Sequence, residues 1–286
     1  MPTWDFDTPG QVRLDLEIPF GRVEIDTLSS DSTHVSLEGT EAVTRELVEN
    51  ARVEMHPRGE GFEVIVEVKH RGLMFSIGRS PEIRLRVSCP KGADATVRTK
   101  SADIQARGEY GDFEVKTASG DVSIEEVQRD ARIKTASGDV AIDEVGAQLQ
   151  VQTASGDVAV QRVGGEATAH LVSGDVWIRD AGAGVHVNTV SGDQRIDAVV
   201  NGTVESHAVS GDVYIGIRRG SRFYVDANTI SGSTNSELEL TDAPDDGDAE
   251  AADDDAPAVE VRVKTVSGDI ALVRAAAPAP AQLPTE

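Results

Sequence analysis

Three consecutive segments decide the fold: KTASGDVSIEEV at 116–127, KTASGDVAIDEV at 134–145 and QTASGDVAVQRV at 152–163. They are near copies set 18 residues apart. Outward from them, the serine of the same motif recurs at Ser101 (as Ser-Ala-Asp), Ser119, Ser137, Ser155, Ser173, Ser191, Ser210, Ser231 (as Ser-Gly-Ser) and Ser267. The step is 18 residues from Ser101 to Ser191, then 19 and 21, and the last gap of 36 is twice 18. A fixed period in this range marks a solenoid whose units bury their apolar faces only by stacking.

Counting from the serine, apolar residues and threonine fall at −6 (Phe113, Ala131, Leu149), −4 (Val115, Ile133, Val151) and −2 (Thr117, Thr135, Thr153). After the motif they fall at +3 (Val122, Val140, Val158), +5 (Ile124, Ile142, Val160) and +8 (Val127, Val145, Val163). The inward parity is therefore even before Ser-Gly-Asp and odd after it, so the motif absorbs one residue in a corner between two strands. This predicts an all-β, single-stranded parallel β-solenoid (β-helix) with 18-residue coils, each stacking about 4.8 Å above the last, so that about eight coils make a rod near 40 Å long. The inward threonines are expected to pair their hydroxyls up the stack.

Outside the repeat, residues 1–92 read as a β-rich N-terminal domain or cap. Strands are expected at 12–18, 23–25, 34–38, 62–68 and 83–87, with Thr40 capping a short helix that shows Val43, Leu47 and Ala51 on one face. Phe20-Gly21-Arg22 stands where later coils have Ser-Gly-Asp, which makes 12–25 a candidate early coil. Solenoid coils are expected over 93–240, a disordered acidic insertion over 241–258, a final coil over 259–274 and a disordered Ala/Pro-rich tail over 275–286.

The chain has 286 residues and a formal charge of −23, from 50 acids against 27 bases, and only 4% of it is aromatic. Such a charge repels phosphate backbones, so nucleic-acid binding is disfavoured, and no stretch of 18 apolar residues reads as a membrane span. The single Cys89 allows no intrachain disulfide, and the start lacks a signal-peptide pattern, so the cytoplasm is the expected compartment, with the surface reached only by an unrecognised route.

The repeated aspartates Asp121, Asp139, Asp157, Asp175, Asp193 and Asp212 are the sharpest candidates for chemistry, as a ladder of calcium ligands. The structural reading is preferred, with Gly supplying corner freedom and Ser and Asp bonding nearby amides. The six histidines show no metal-ligand spacing, and no phosphate loop, dinucleotide fingerprint or nucleophile elbow is present; no cofactor and no catalytic residue is expected. Two places are candidates for partner binding. One is the cationic, apolar island with Lys69, Arg71, Phe75 and Arg79, a docking site for a partner or for the acidic run Asp242–Asp255. The other is the outward column that holds Trp177 and Tyr214, a site for sugar or protein.

The repeated Thr-x-Ser-Gly-Asp with its following Val-x-Ile resembles the bacterial putative adhesin family of β-strand-repeat domains, a family of unknown function, over about residues 10 to 273. The resemblance implies a β-solenoid with a β-rich N-terminal part and no known catalytic residues. The expected function is accordingly a non-enzymatic, adhesin-like scaffold that presents a long face to a protein or surface glycan. The alternative is a cytosolic polymer resembling the bactofilins, assembled end to end through a C-terminal coil (259–273) that is expected to leave an open strand edge. A weaker alternative is a carbohydrate-active β-helix enzyme.

Overall fold

Parallel pairing at a spacing of one coil builds the molecule, and a computed structural model of the chain describes it over residues 2–69, 82–238 and 258–275. Before each corner the ladder runs Phe113, Ala131, Leu149, Ala167, Val185, and after it Val122, Val140, Val158, Val176. The two ladders face each other across a thin interior in which Val115, Ile133, Val151, Ile124, Ile142 and Val160 are all fully buried. Branched side chains suit this place, because they fill a pleated surface with little loss of rotamer freedom. Of the cationic island 69–79 the structure describes Lys69, and of the tail 275–286 it describes Ala275; the rest of both, and the acidic run, lie outside the described residues.

The corner explains its own composition. Gly138 has φ +117°, and a Cβ added there would sit 2.3 Å from the carbonyl oxygen of Gly120 in the coil below. Only glycine satisfies both the backbone angle and the close approach. The amide of Asp139 donates to Oδ1 of Asp121 at 3.0 Å, that of Asp157 to Asp139 at 2.9 Å and that of Asp175 to Asp157 at 2.8 Å. The same bond continues to Asp269, whose amide donates to Asp212 at 2.8 Å. Each carboxylate therefore satisfies the backbone of the next coil.

The threonines behave differently from the sequence expectation. They do point inward, but the hydroxyls of Thr117, Thr135 and Thr153 donate to the carbonyls of Ser119, Ser137 and Ser155 at 2.8, 2.8 and 2.9 Å, bracing their own corners. Pairing along the stack occurs between Thr99 and Thr117, at 2.8 Å. Threonine hydroxyls bond readily to the backbone of their own turn, and here that local bond recurs from coil to coil.

The N-terminal elements are β1 (Thr3–Asp7), β2 (Val12–Leu28), β3 (Ser32–Gly39), α1 (Ala42–Glu49), β4 (Arg52–Arg58), β5 (Gly61–Glu67), β6 (Ile83–Pro90) and β7 (Ala93–Lys116). β2 is a coil in its own right, with Phe20 paired to Ser101 and Gly21 to Ala102. On its other side lie β5 and β6, which together form one more level. β4 pairs antiparallel with β5, β3 with β6 and β1 with β3, and α1 packs on β3 to close this end. The helix starts one residue later than expected: the amide of Glu41 donates to Thr44 Oγ1 at 2.9 Å, while the Thr40 hydroxyl donates to the Glu82 carbonyl at 3.2 Å. Tyr110 is fully buried where β7 turns, and its hydroxyl donates to the Ile25 carbonyl at 2.7 Å, tying the β2 coil to the repeat.

The far end departs from sequence order. Ser210 pairs with Ser267, and Ser267 pairs on its other side with Ser231. The last coil of the chain, Ala258–Ser267 with Ile270–Arg274, is thus inserted between the Ser210 and Ser231 coils. The expected open edge at 259–273 is consequently covered on both sides. Among the described residues the outermost strand at this end is Arg222–Ser231, where Phe223, Val225 and Ala227 are only partly buried. The inserted segment brings the better apolar set, Val259, Val261, Val263, Ile270 and Leu272, and takes the buried level, where these residues gain most from leaving water.

Two polar residues occupy apolar places of the repeat, Gln194 at +3 and Ser206 at −4. Gln194 Nε2 donates to Thr189 Oγ1 at 2.8 Å and to the His207 carbonyl at 2.9 Å, and Ser206 Oγ donates to Gln194 Oε1 at 2.6 Å. The buried amide is therefore fully bonded, which is the condition for keeping it in an apolar core.

Candidate functional site

Beside the corner, on the strand that leads into it, positions −3 and −1 both face outward. Position −1 reads Ala118, Ala136, Ala154, Val172, Val190, Val209, Val266 and Ile230 in stacking order. Val172 is 56% exposed, Val190 and Val209 50%, Val266 46% and Ile230 82%, and among the described residues only Leu28 and Tyr224 join them as exposed large apolar side chains. Those valines form a ridge rather than a scatter.

Position −3 runs parallel to the ridge as Lys116, Lys134, Gln152, His170, Asn188, His207, Lys264 and Asn228. In a chain with 50 acids this column holds no carboxylate. Between the columns lies an open groove of about 530 Å³, floored by Thr135, Thr153, Leu171, Thr189 and Ala208. Asn188 and His170 are bonded to each other along its wall at 3.2 Å, and His207 lies 3.5 Å from Glu205. Beyond the ridge stands the exposed aspartate ladder, so the face is striped across its width: basic and amide, apolar, then acidic.

A family model described as Toastrack DUF4097 matches residues 13–273. The chain belongs to this family. The Toastrack chain is also similar to a solved putative adhesin of Bacteroides fragilis, at 11% identity, 95% and 96% coverage of the two chains and a TM-score of 0.46. Another putative adhesin, from Parabacteroides distasonis, shows 9% identity, the same coverage and a TM-score of 0.34, and a putative cell adhesion protein from Clostridium sporogenes shows 10% identity, 96% and 99% coverage and a TM-score of 0.28. No curated protein matches the chain.

In this Toastrack stack the aspartates do not gather into a site. Each spends one oxygen on the amide above, and no group of three or more His, Cys, Asp or Glu among the described residues is arranged to hold a metal ion. Asp269 ends the ladder: it accepts both the amide and the hydroxyl of Ser233, at 2.7 and 3.0 Å, and these bonds hold its carboxyl below the ordinary range.

Trp177 and Tyr214 do share a column, with Arg195 between them. The Trp177 Nε1 donates to Asp197 Oδ2 at 2.8 Å, Arg195 Nε donates to Asp197 Oδ1 at 2.6 Å, and the guanidinium lies 4.6 Å from the Tyr214 ring centre. Those contacts tie the cluster to itself, and both rings are half-buried. Lys69 forms an ion pair with Glu67 at 3.2 Å, while Arg71, Phe75 and Arg79 fall outside the described residues.

Sequence reasoning overlooked the ridge. Its signal was present, since an outward position that reads Ala, Ala, Ala, Val, Val, Val, Val, Ile through the stack contrasts with the polar filling of the outward column at −3 beside it.

Proposed function

We propose that this chain is a non-enzymatic, adhesin-like scaffold that binds through the long face carrying the ridge and groove. The observation that carries the reading is the continuous exposure of Val172, Val190, Val209, Val266 and Ile230 beside a column without carboxylates. The groove is lined by lysine, imidazole, amide, threonine and aliphatic groups, whereas glycoside hydrolysis calls for a pair of carboxylates flanking the bond. Retention of the purified protein on cell-envelope material, compared with a Val190→Glu variant of equal melting temperature, tests it: loss in the variant supports the face, and equal retention of both refutes it.

End-to-end assembly is a second reading, favoured by the position of Arg222–Ser231 as the outermost strand among the described residues and by the exposure of Ile230 on it. Electron microscopy of concentrated protein separates the two, since filaments lost in an Ile230→Lys variant support assembly through this edge, and their absence removes it.

A further inference from the structure

The striped face is complementary to itself. Its ridge and its groove lie side by side, the groove running from the level of Lys134 to that of Val209, and both repeat once per coil, so a second copy of the chain meets them with the same period. An extended peptide laid along the stack does not match, because it repeats its side chains on one face about every 6.6–6.8 Å, against about 4.8 Å between coils.

We propose that this face is a homodimer interface in which two solenoids lie parallel, related by a twofold axis along the stack. That operation places the ridge of each copy in the groove of the other, reciprocally and at the same level, as an isologous contact requires. The basic and amide column of one copy then comes opposite the acidic corner of its partner. A twofold axis across the stack does the reverse, setting ridge on ridge and like charges on like charges. Shape and charge select the same orientation.

The extent sets the strength. Eight coils carry an apolar residue at −1, so the contact is about 38 Å long at about 4.8 Å per coil. With a width of about 15 Å the two copies together bury roughly 1,100 Å², at the lower end of specific interfaces, so the dimer is weak and reversible. The inference rests on the proposed binding face and names its partner.

Single-cysteine variants Val172→Cys, Val190→Cys and Val209→Cys test the geometry under mild oxidation. The native Cys89 does not interfere, because it is fully buried. The parallel arrangement gives a cross-linked dimer from each variant alone and none between Val172→Cys and Val209→Cys in a mixture. An arrangement in which only one of the three cross-links to itself overturns it. Sedimentation equilibrium of the full chain should show a monomer–dimer equilibrium, weakened at least tenfold by Val190→Glu at unchanged melting temperature. A wild type that stays monomeric at high concentration overturns the proposal, as does a dimer lost in Ile230→Lys but kept in Val190→Glu. Envelope retention lost in Val190→Glu while the wild type stays monomeric sinks the dimer and leaves the binding face standing.

Discussion

Replacing Gly156 by alanine should break the stack at one known interface. The residue has φ +120°, and the new Cβ would lie 2.3 Å from the Gly138 carbonyl oxygen and 2.7 Å from its carbon. A contact that short forces the neighbour to move, and the neighbour is backbone. Moving it strains the bonds between the Ser137 and Ser155 corners, where the Asp157 amide meets Asp139 at 2.9 Å and the Val140 amide meets the Asp157 carbonyl at 2.8 Å. An enforced left-handed residue costs about 1–3 kcal/mol, and each lost hydrogen bond about 0.5–1.5 kcal/mol. A total of roughly 2–6 kcal/mol is expected, against a typical stability of about 5–15 kcal/mol. Gly59 provides the control, because it has φ +61° with nothing within 4 Å of its added Cβ. Gly59→Ala carries only the conformational cost, of about 1 kcal/mol. Urea unfolding of both variants measures the difference. Equal midpoints would show that the corner glycine answers to its backbone angle alone and that the close approach between coils is wrong.

Three further outcomes follow from the interior and the corner. Gln194→Val should destabilise by about 1–3 kcal/mol by orphaning Ser206 and Thr189, and adding Ser206→Val should recover much of the loss; additive losses in the double mutant would refute the buried network. Cys89 is fully buried, and burial pushes its thiol up to about 12, so thiol reagents at pH 8 should label it only on unfolding; rapid labelling of the native protein would contradict its place in the core. The Asp269 carboxyl is depressed in the folded state, so its stabilising effect is full above the unfolded value near about 3.9 and is lost as the pH falls through the folded one. The melting difference between wild type and Asp269→Asn should therefore hold from pH 7 to pH 5 and shrink below pH 4, and a gap that widens in acid would reverse the assignment.

The architecture was legible because the repeat is physical. Inward positions such as Val122, Ile124 and Val127 are apolar in most coils, and glycine holds the corner from Gly120 to Gly268, so the period survives in the residues themselves. Level order was not legible. The Ser231 and Ser267 coils carry nearly the same motif, TISGS at 229–233 and TVSGD at 265–269, so register alone allows either one to follow Ser210. What distinguishes them is the apolar content of the flanking strands, Val259-Glu-Val-Arg-Val263 against Phe223-Tyr-Val-Asp-Ala227, together with Ser233 in place of an aspartate where the ladder stops. The N-terminal coil was hidden for a related reason: the level formed by β5 and β6 is interrupted by residues 68–82, which masks the period. The exposed ridge was not read from the sequence. Trp177 and Tyr214 were correctly placed in one column, but aromatic residues attract attention more than a run of single valines.

The order of residues along the ridge depends on the level order. If the last coil were stacked in chain order, Ile230 would follow Val209 and the valine ridge would pass through the weaker coil before Val266. In the structure Lys264 stands between His207 and Asn228, in register with both. Neighbouring levels lie about 4.8 Å apart, within the Cα separation of about 4.4–6.8 Å that a disulfide bridges, and levels two apart do not. Cysteine pairs at these exposed positions therefore measure the order directly. The account predicts rapid disulfide formation in Asn228→Cys/Lys264→Cys and in His207→Cys/Lys264→Cys, and none in His207→Cys/Asn228→Cys. A disulfide between positions 207 and 228, with none between 207 and 264, would place the coils in sequence order and contradict it.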